Sequence, residues 1–220
     1  LSVYYKDEQI TLYNDDCLEI DAWLKADVLV TDPPYGIGWQ PMQGMYQLKK
    51  QIKAPQIEGD DSTCLRDAAL SLWGNKPRIV FGSWRARRPD PVDHRLIWHK
   101  KGQQPGPCNA AFMSQDEEIY VTGTGFRRSA PPLRSVITTH ETRHHAVMKA
   151  AHPTPKPVQL METLVDRCPA GIIADPFAGS GSTLIAARNL GRRAIGVEME
   201  ERYCELIAKR LDQMCLDFGA

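Results

Sequence analysis

The chain alternates blocks of apolar residues short enough for strands with blocks spaced for helices. Ile10-Thr11-Leu12-Tyr13 predicts a strand that ends in Asn14-Asp15-Asp16, and Leu18 to Leu24 predicts a short amphipathic helix. Asp27 to Thr31 is β-branched and apolar without alternation, which suits a strand buried on both faces of a parallel sheet. Two prolines end it at Asp32-Pro33-Pro34-Tyr35. From Gly36 to about Asp61 the chain is polar and irregular, so a long functional or mobile loop is expected. Cys64 to Trp73 has helical spacing, with Leu65, Ala68, Ala69 and Leu72 on one side. Strands are predicted at Arg78 to Phe81, Arg95 to Trp98 and Glu118 to Val121. Phe126 to Pro157 has little periodicity and reads as an insertion or surface element. A helix at Val158 to Val165, a strand at Ile172 to Ala174, a helix at Thr183 to Leu190, a strand at Ala194 to Glu198 and a helix at Tyr203 to Leu211 complete the pattern. Strands alternating with helices predict a three-layer α/β domain on a mostly parallel sheet.

The 220 residues suffice for one such domain with a small insertion. No apolar run approaches a membrane span, and no signal peptide is expected. Six scattered cysteines without a CxxC pair argue against a disulfide framework or zinc site and fit a reducing cytosol. Net charge is zero, but the charge is unevenly placed. Eight basic residues lie between Lys76 and Lys101 against Asp90 and Asp93, and six lie between Thr124 and Lys156 against Glu141 alone. Such local basic surface suits phosphate contact, although solvated faces give the same pattern. Four of the six histidines lie between His140 and His152, with no acid or cysteine at ligand spacing, so no metal is expected.

Two segments carry chemistry. At Asp175-Pro176-Phe177-Ala178-Gly179-Ser180-Gly181 a strand enters a glycine turn and a helix opens at once. Glycines allow close backbone approach, and free N–H groups at a helix start favour an anionic group. Glu198 closes the next strand, placed to accept bonds from ribose hydroxyls. These features suit an adenosine-bearing cofactor, although a tight strand–helix turn alone would look similar. A dinucleotide fingerprint would need glycine where Leu184 stands.

The second segment, Asp32-Pro33-Pro34-Tyr35, lies at the carboxyl end of a buried strand, where open α/β sheets bind ligands. An exocyclic amine is a poor nucleophile because its lone pair is delocalised into the ring. Two acceptors gripping its N–H bonds would draw it towards tetrahedral geometry. The Asp32 carboxylate and the Pro33 carbonyl can supply them, Pro34 stiffens the backbone, and Tyr35 offers a face for a base.

These residues resemble the DNA amino-methyltransferases, whose DPPY and FxGxG motifs match Asp32 to Tyr35 and Phe177 to Gly181. The order, catalytic motif first, is that of the circularly permuted β class, and Ile57-Glu58-Gly59-Asp60 is similar to small phage-type members. The resemblance implies a Rossmann-like fold in one domain over residues 1–220, with a recognition segment of about 123–151. It implies S-adenosylmethionine as cofactor and transfer of its methyl group to adenine N6 of a base flipped from double-stranded DNA. Cytosine N4 is the alternative, and an RNA or protein substrate or a non-catalytic relative is further off. By resemblance the cofactor set is Asp16 (or Asp15), Cys17, Asp32, His152, Thr154, Lys156, Asp175, Phe177, Ala178, Gly179, Gly181 and Glu198. His152 to Pro157 matches an HPTxKP element, and Trp98-His99-Lys100 a strand end near the target base. DNA contacts are expected from Trp39, Lys100, Arg127, Arg128, Arg134 and Arg143. A cytoplasmic enzyme of a bacterial or phage-infected cell, within restriction–modification, is implied, and β-class relatives allow a homodimer.

Overall fold

A computed structural model describes residues 2–38, 59–101, 112, 114–128, 132–140 and 155–217. One nine-stranded sheet organises them. In chain order its strands are β1 (Val3–Lys6), β2 (Ile10–Asn14), β3 (Val28–Thr31), β4 (Arg78–Gly82), β5 (His94–Lys101), β6 (Asp116–Thr122), β7 (Val136–His140), β8 (Ile173–Asp175) and β9 (Ala194–Glu198). The helices are α1 (Cys64–Trp73), α2 (Val158–Val165), α3 (Ser182–Asn189) and α4 (Glu201–Asp217), with a 3-10 turn at Ala22–Lys25. Across the sheet the strands run β1-β2-β9-β8-β3-β4-β6-β5-β7. The five from β2 to β4 are mutually parallel. β6 is antiparallel to both neighbours, so β5 and β7 again point the way of β4.

Alternation along the central strands sorts the core. Val28, Val30, Ile79 and Phe81 join Leu160, Leu164, Leu184 and Ile207 of α2, α3 and α4 on one face. Leu29 and Val80 point the other way, into a cluster with Trp23, Ala69 and Trp73. There the Trp23 and Trp73 rings stack 5.8 Å apart at 8°. A sheet buried on both faces explains why β3 and β4 show no polar alternation.

Three expectations need correction. Leu18 to Leu24 forms no α-helix, and only the 3-10 turn appears. Asp15 and Asp16 side chains bond the backbone N–H groups of Asp16 and Leu18, which favours a turn over a helix start. The segment after Phe126 is not wholly an insertion, because β7 lies within it and pairs with β5 as an edge strand. A strand at Val3–Lys6, unread in the sequence, borders the other edge. Among the described residues no helix is long and apolar enough to cross a membrane.

Candidate active site

From β8 the chain crosses to β9 on one side, and from β3 to β4 on the other. β8 and β3 are adjacent, so their carboxyl ends open a crevice where the strand order reverses. Such a switch point is where α/β sheets take ligands. Asp32 and Asp175 emerge side by side there. Thr31 Oγ1 donates to Asp175 Oδ1 at 2.7 Å and ties the two strand ends together.

The glycine turn leaves β8 and enters α3. Gly179 and Gly181 have φ of 52° and 77°, a region that disfavours side chains. A Cβ on Gly181 would stand 2.7 Å from Ile207 Cγ1 of α4. The turn is held from three sides. Phe177 N donates to Asp175 Oδ1 at 3.2 Å, Gly179 N to Glu198 Oε2 at 2.7 Å, and Arg210 reaches the Ser180 carbonyl. Glu198 Oε1 accepts from Glu200 N at 2.9 Å. Burial outweighs these donors and pushes Glu198 up to about 7 and Asp175 to about 6. The end of β2 lies beside β9, where Asn14 Nδ2 bonds the Glu198 carbonyl at 3.0 Å. Asp15 and Asp16 follow at that edge, half-buried. Cys17 turns its thiol into the core, where burial pushes it up to about 12.

Around Asp32 the structure assembles a cluster that the sequence did not predict. Lys156 bonds Asp32 Oδ2 and lies 3.3 Å from Glu117 Oε2. The Tyr35 hydroxyl is 2.8 Å from Asp32 Oδ1 and 2.9 Å from Glu117 Oε2. Lys100 bonds the other Glu117 oxygen. The Lys156 side chain is 5% exposed, with Nζ 5.1 to 5.9 Å from the ring centres of Phe81, Tyr35 and Trp98. Its backbone is anchored to the glycine turn, since Ser182 Oγ donates to the Lys156 carbonyl at 2.7 Å. Burial, with help from Glu117, lifts the Asp32 carboxyl above its usual range, while Lys156 opposes the shift. Burial would also raise Glu117, but Lys156 and Lys100 outweigh it and hold that carboxyl at about 2. Burial alone would lower Lys156, yet Asp32 and Glu117 keep it charged and raise it.

Glu117 escaped the sequence reading because an acid at a strand start looks like a solvated end. The signal available was its antiparallel register opposite Trp98, inside the segment already linked to the target base. Lys156, expected at the cofactor together with Asp32, has its ammonium on Asp32.

Several expected DNA contacts are not gathered here. Arg127 follows β6, whose last residues pair with the first of β4, so it lies at the edge opposite Asp32. It is also engaged, donating to the Asp166 carbonyl at 3.1 Å and pairing with the Asp166 carboxylate. Arg128 follows it, and Arg134 precedes β7, away from the end that carries His140. Lys100 alone of the described set reaches the cluster. Trp39, Arg143, His152, Thr154 and the His144–His145 pair lie outside the described residues, as do 39–58 of the expected loop and most of 129–154. The turn after β4 instead presents Trp84, 64% exposed, with the Arg85 guanidinium 5.5 Å from its ring centre. Arg66 of α1 fixes this turn through the Arg87 carbonyl at 2.7 Å. Among the described residues no group of His, Cys, Asp or Glu gathers as a metal site would require.

The family profile described as DNA methylase, of the N6/N4 type, matches residues 131–210. The chain is 36% identical to the type II methyltransferase M.ScaI of Streptomyces caespitosus over 261 residues, spanning 95% of this chain and 83% of that one. It is 34% identical to M2.LlaDCHI of Lactococcus lactis subsp. cremoris over 251 residues, spanning 96% and 92%. Its fold is similar to that of M1.HpyAVI, solved in complex with S-adenosylmethionine, at a TM-score of 0.64 and 23% identity over 91% of this chain and 99% of that one. The cytosine-N4-specific PvuII methyltransferase superposes at a TM-score of 0.64 with 16% identity, covering 95% and 88%. Relatives this similar along nearly the whole chain, together with the glycine turn and acidic strand ends at one switch point, place it in the N6/N4 DNA methylase family, whose members use S-adenosylmethionine.

Proposed function

We propose that this DNA methyltransferase modifies the exocyclic N6 of adenine in a base flipped from duplex DNA. The observation that carries the reading is Asp32. It is a carboxylate at the switch-point edge, tied through Thr31 to Asp175 at the mouth of the glycine turn. A carboxylate is an acceptor only, so it suits one N–H of an amine, and the Pro33 carbonyl suits the other. Tyr35 offers the base a face, and its hydroxyl anchors the ring on Asp32 and Glu117.

The residues at the turn fit S-adenosylmethionine. Gly179 and Gly181 take the left-handed φ values that turn the backbone into α3, whose first N–H groups would meet its carboxylate, and Glu198 offers acceptors for its ribose. When bound, it supplies an electrophilic methyl group on a sulfonium. The nitrogen that takes up the methyl group would release one N–H proton to solvent. Asp32 orients the N–H bonds and draws electron density onto nitrogen, while Tyr35 and the aromatic wall fix the base. Positioning of this kind supplies a large part of such a barrier reduction.

Phosphate contact is assigned to the edge that bears Asp32. That edge carries Trp84, Arg85 and Arg87, whose exposed guanidinium groups have no ion pair among the described residues. The deciding experiment is nucleoside analysis of duplex DNA treated with the purified protein and labelled cofactor. N6-methyladenine is expected. Label found solely in N4-methylcytosine would replace adenine with cytosine at the same site.

A further inference from the structure

Both Asp32 oxygens are already engaged, Oδ1 by the Tyr35 hydroxyl at 2.8 Å and Oδ2 by the Lys156 ammonium. Each carboxylate oxygen keeps a second lone pair, so a target amine can still reach Asp32, but it must compete there with the donors already on it. The two donors that hold it share a second acceptor. Glu117 Oε2 stands 2.9 Å from the Tyr35 hydroxyl and 3.3 Å from Lys156 Nζ. A hydroxyl has one proton, so Tyr35 serves one carboxylate at a time. Lys156 cannot retreat to solvent at low cost, because it is 5% exposed, walled by three aromatic rings, and fixed at its backbone by Ser182. Lys100 holds the far oxygen of Glu117, which keeps that carboxylate in place through any exchange.

We propose that Glu117 is a positioning residue, the alternate acceptor to which Tyr35 and Lys156 shift when the target amine takes Asp32. The proposal rests on the reading that Asp32 grips the amine. Lys156 then has two stations. In the arrangement seen here its ammonium bonds Asp32 Oδ2, an oxygen that the amine would also use. In the engaged enzyme it pairs with Glu117, so no charge is left buried without a partner. The groups facing Asp32 are Tyr35 from its own strand end, Glu117 from β6, Lys156 ahead of α2, and Asp175 from β8. Lys100 of β5 acts on Glu117.

The test is single-turnover methyl transfer by the full chain as a function of pH, with cofactor affinity measured in parallel. Glu117→Gln keeps the shape and removes the charge that draws Lys156 away. The transfer rate is expected to fall about tenfold or more, as for the loss of one charge-assisted bond. Cofactor affinity should stay at the wild-type value. The acid limb of the rate profile should move to lower pH, because Glu117 raises Asp32 and its neutralisation lets Asp32 ionise earlier. Lys156→Met should move the limb the opposite way, since two carboxylates then face each other without a cation. Glu117→Asp should recover part of the rate. An unchanged rate and limb in Glu117→Gln would overturn the proposal. So would a loss of rate with the limb unmoved and cofactor affinity falling with it, which marks a merely structural residue. Asp32→Ala separates the two readings: if it still transfers methyl groups, the assignment of Asp32 has failed and the proposal falls with it, whereas loss of transfer with an unaltered Glu117→Gln overturns the proposal alone.

Discussion

Glu198 gives a prediction in which affinity and stability move in opposite directions. It accepts from Gly179 N at 2.7 Å and Glu200 N at 2.9 Å, yet burial raises it to about 7. A ribose diol donates two hydrogen bonds and so prefers the ionised acid. From pH 8 to pH 6 the ionised fraction drops from about nine-tenths to about one-tenth, so cofactor affinity should weaken about tenfold, or about 1.4 kcal/mol. For folding the sign reverses. A carboxyl raised in the folded state is stabilising while protonated, and that contribution is lost as pH climbs from the unfolded value to about 7. Glu198→Gln imitates the protonated acid. Its stability relative to wild type should therefore grow by roughly 2 kcal/mol between pH 5 and pH 8, which is several degrees in Tm. Titration calorimetry at pH 6, 7 and 8, paired with thermal melts of the cofactor-free protein, measures both. The amino group of the cofactor also titrates near this range, so the decisive quantity is the slope of wild type minus that of Glu198→Gln. Equal slopes in the two proteins, or melting curves that stay parallel from pH 5 to pH 8, would refute the assignment. Asp175, at about 6, titrates in both proteins, and its repulsion of Glu198 is part of the difference measured.

Asp32→Ala should lower methyl transfer by at least about a hundredfold, the scale of a lost transition-state hydrogen bond, with cofactor affinity nearly intact by calorimetry. Gly181→Ala forces a side chain onto a φ of 77° and 2.7 Å from Ile207 Cγ1, so it should destabilise the fold by about 2–4 kcal/mol in urea titrations. Its denaturant slope should be unchanged. Arg85→Ala with Arg87→Ala should weaken DNA binding at low salt and reduce the salt-dependence slope by about two, one unit per phosphate, measured by fluorescence anisotropy. The same assay on Arg127→Ala should give the wild-type slope, because that side chain is paired with Asp166 at the far edge.

Where local spacing decides an element, the sequence reading matches the structure. α1, α2 and β9 begin and end at the predicted residues, the first because Gly74 follows Trp73 at a φ of 71°. β7 was missed for a physical reason. Its inward residues are Ile137 and Thr139, and the threonine is buried because its hydroxyl accepts from Trp98 Nε1 at 2.7 Å. A polar group satisfied by a partner forty-one residues away breaks the apolar alternation that marks a strand. The glycine turn and the DPPY tetrapeptide were legible because each is contiguous and stands directly after a buried strand.

Pairing between distant charges was not legible, and pairing decides what each charge can do. Arg127 and Arg85 look alike in sequence, as basic residues in irregular segments. The antiparallel turn of β6 carries Arg127 to the edge opposite Asp32, where Asp166 neutralises it, while Arg85 leaves β4 at the edge that bears Asp32, with its guanidinium exposed. Likewise Lys100, Glu117 and Lys156 read separately as a target-base neighbour, a strand end and a cofactor residue. In the fold they become one chain of alternating charge that ends on Asp32. Burial makes that chain necessary: an unpartnered ammonium or carboxylate at this depth would cost several kcal/mol, so each charge needs the next. A sequence motif can therefore name the acid proposed to face the substrate, but the state of that acid is set by Glu117 on β6 and Lys156 just ahead of α2, which only the fold brings to it.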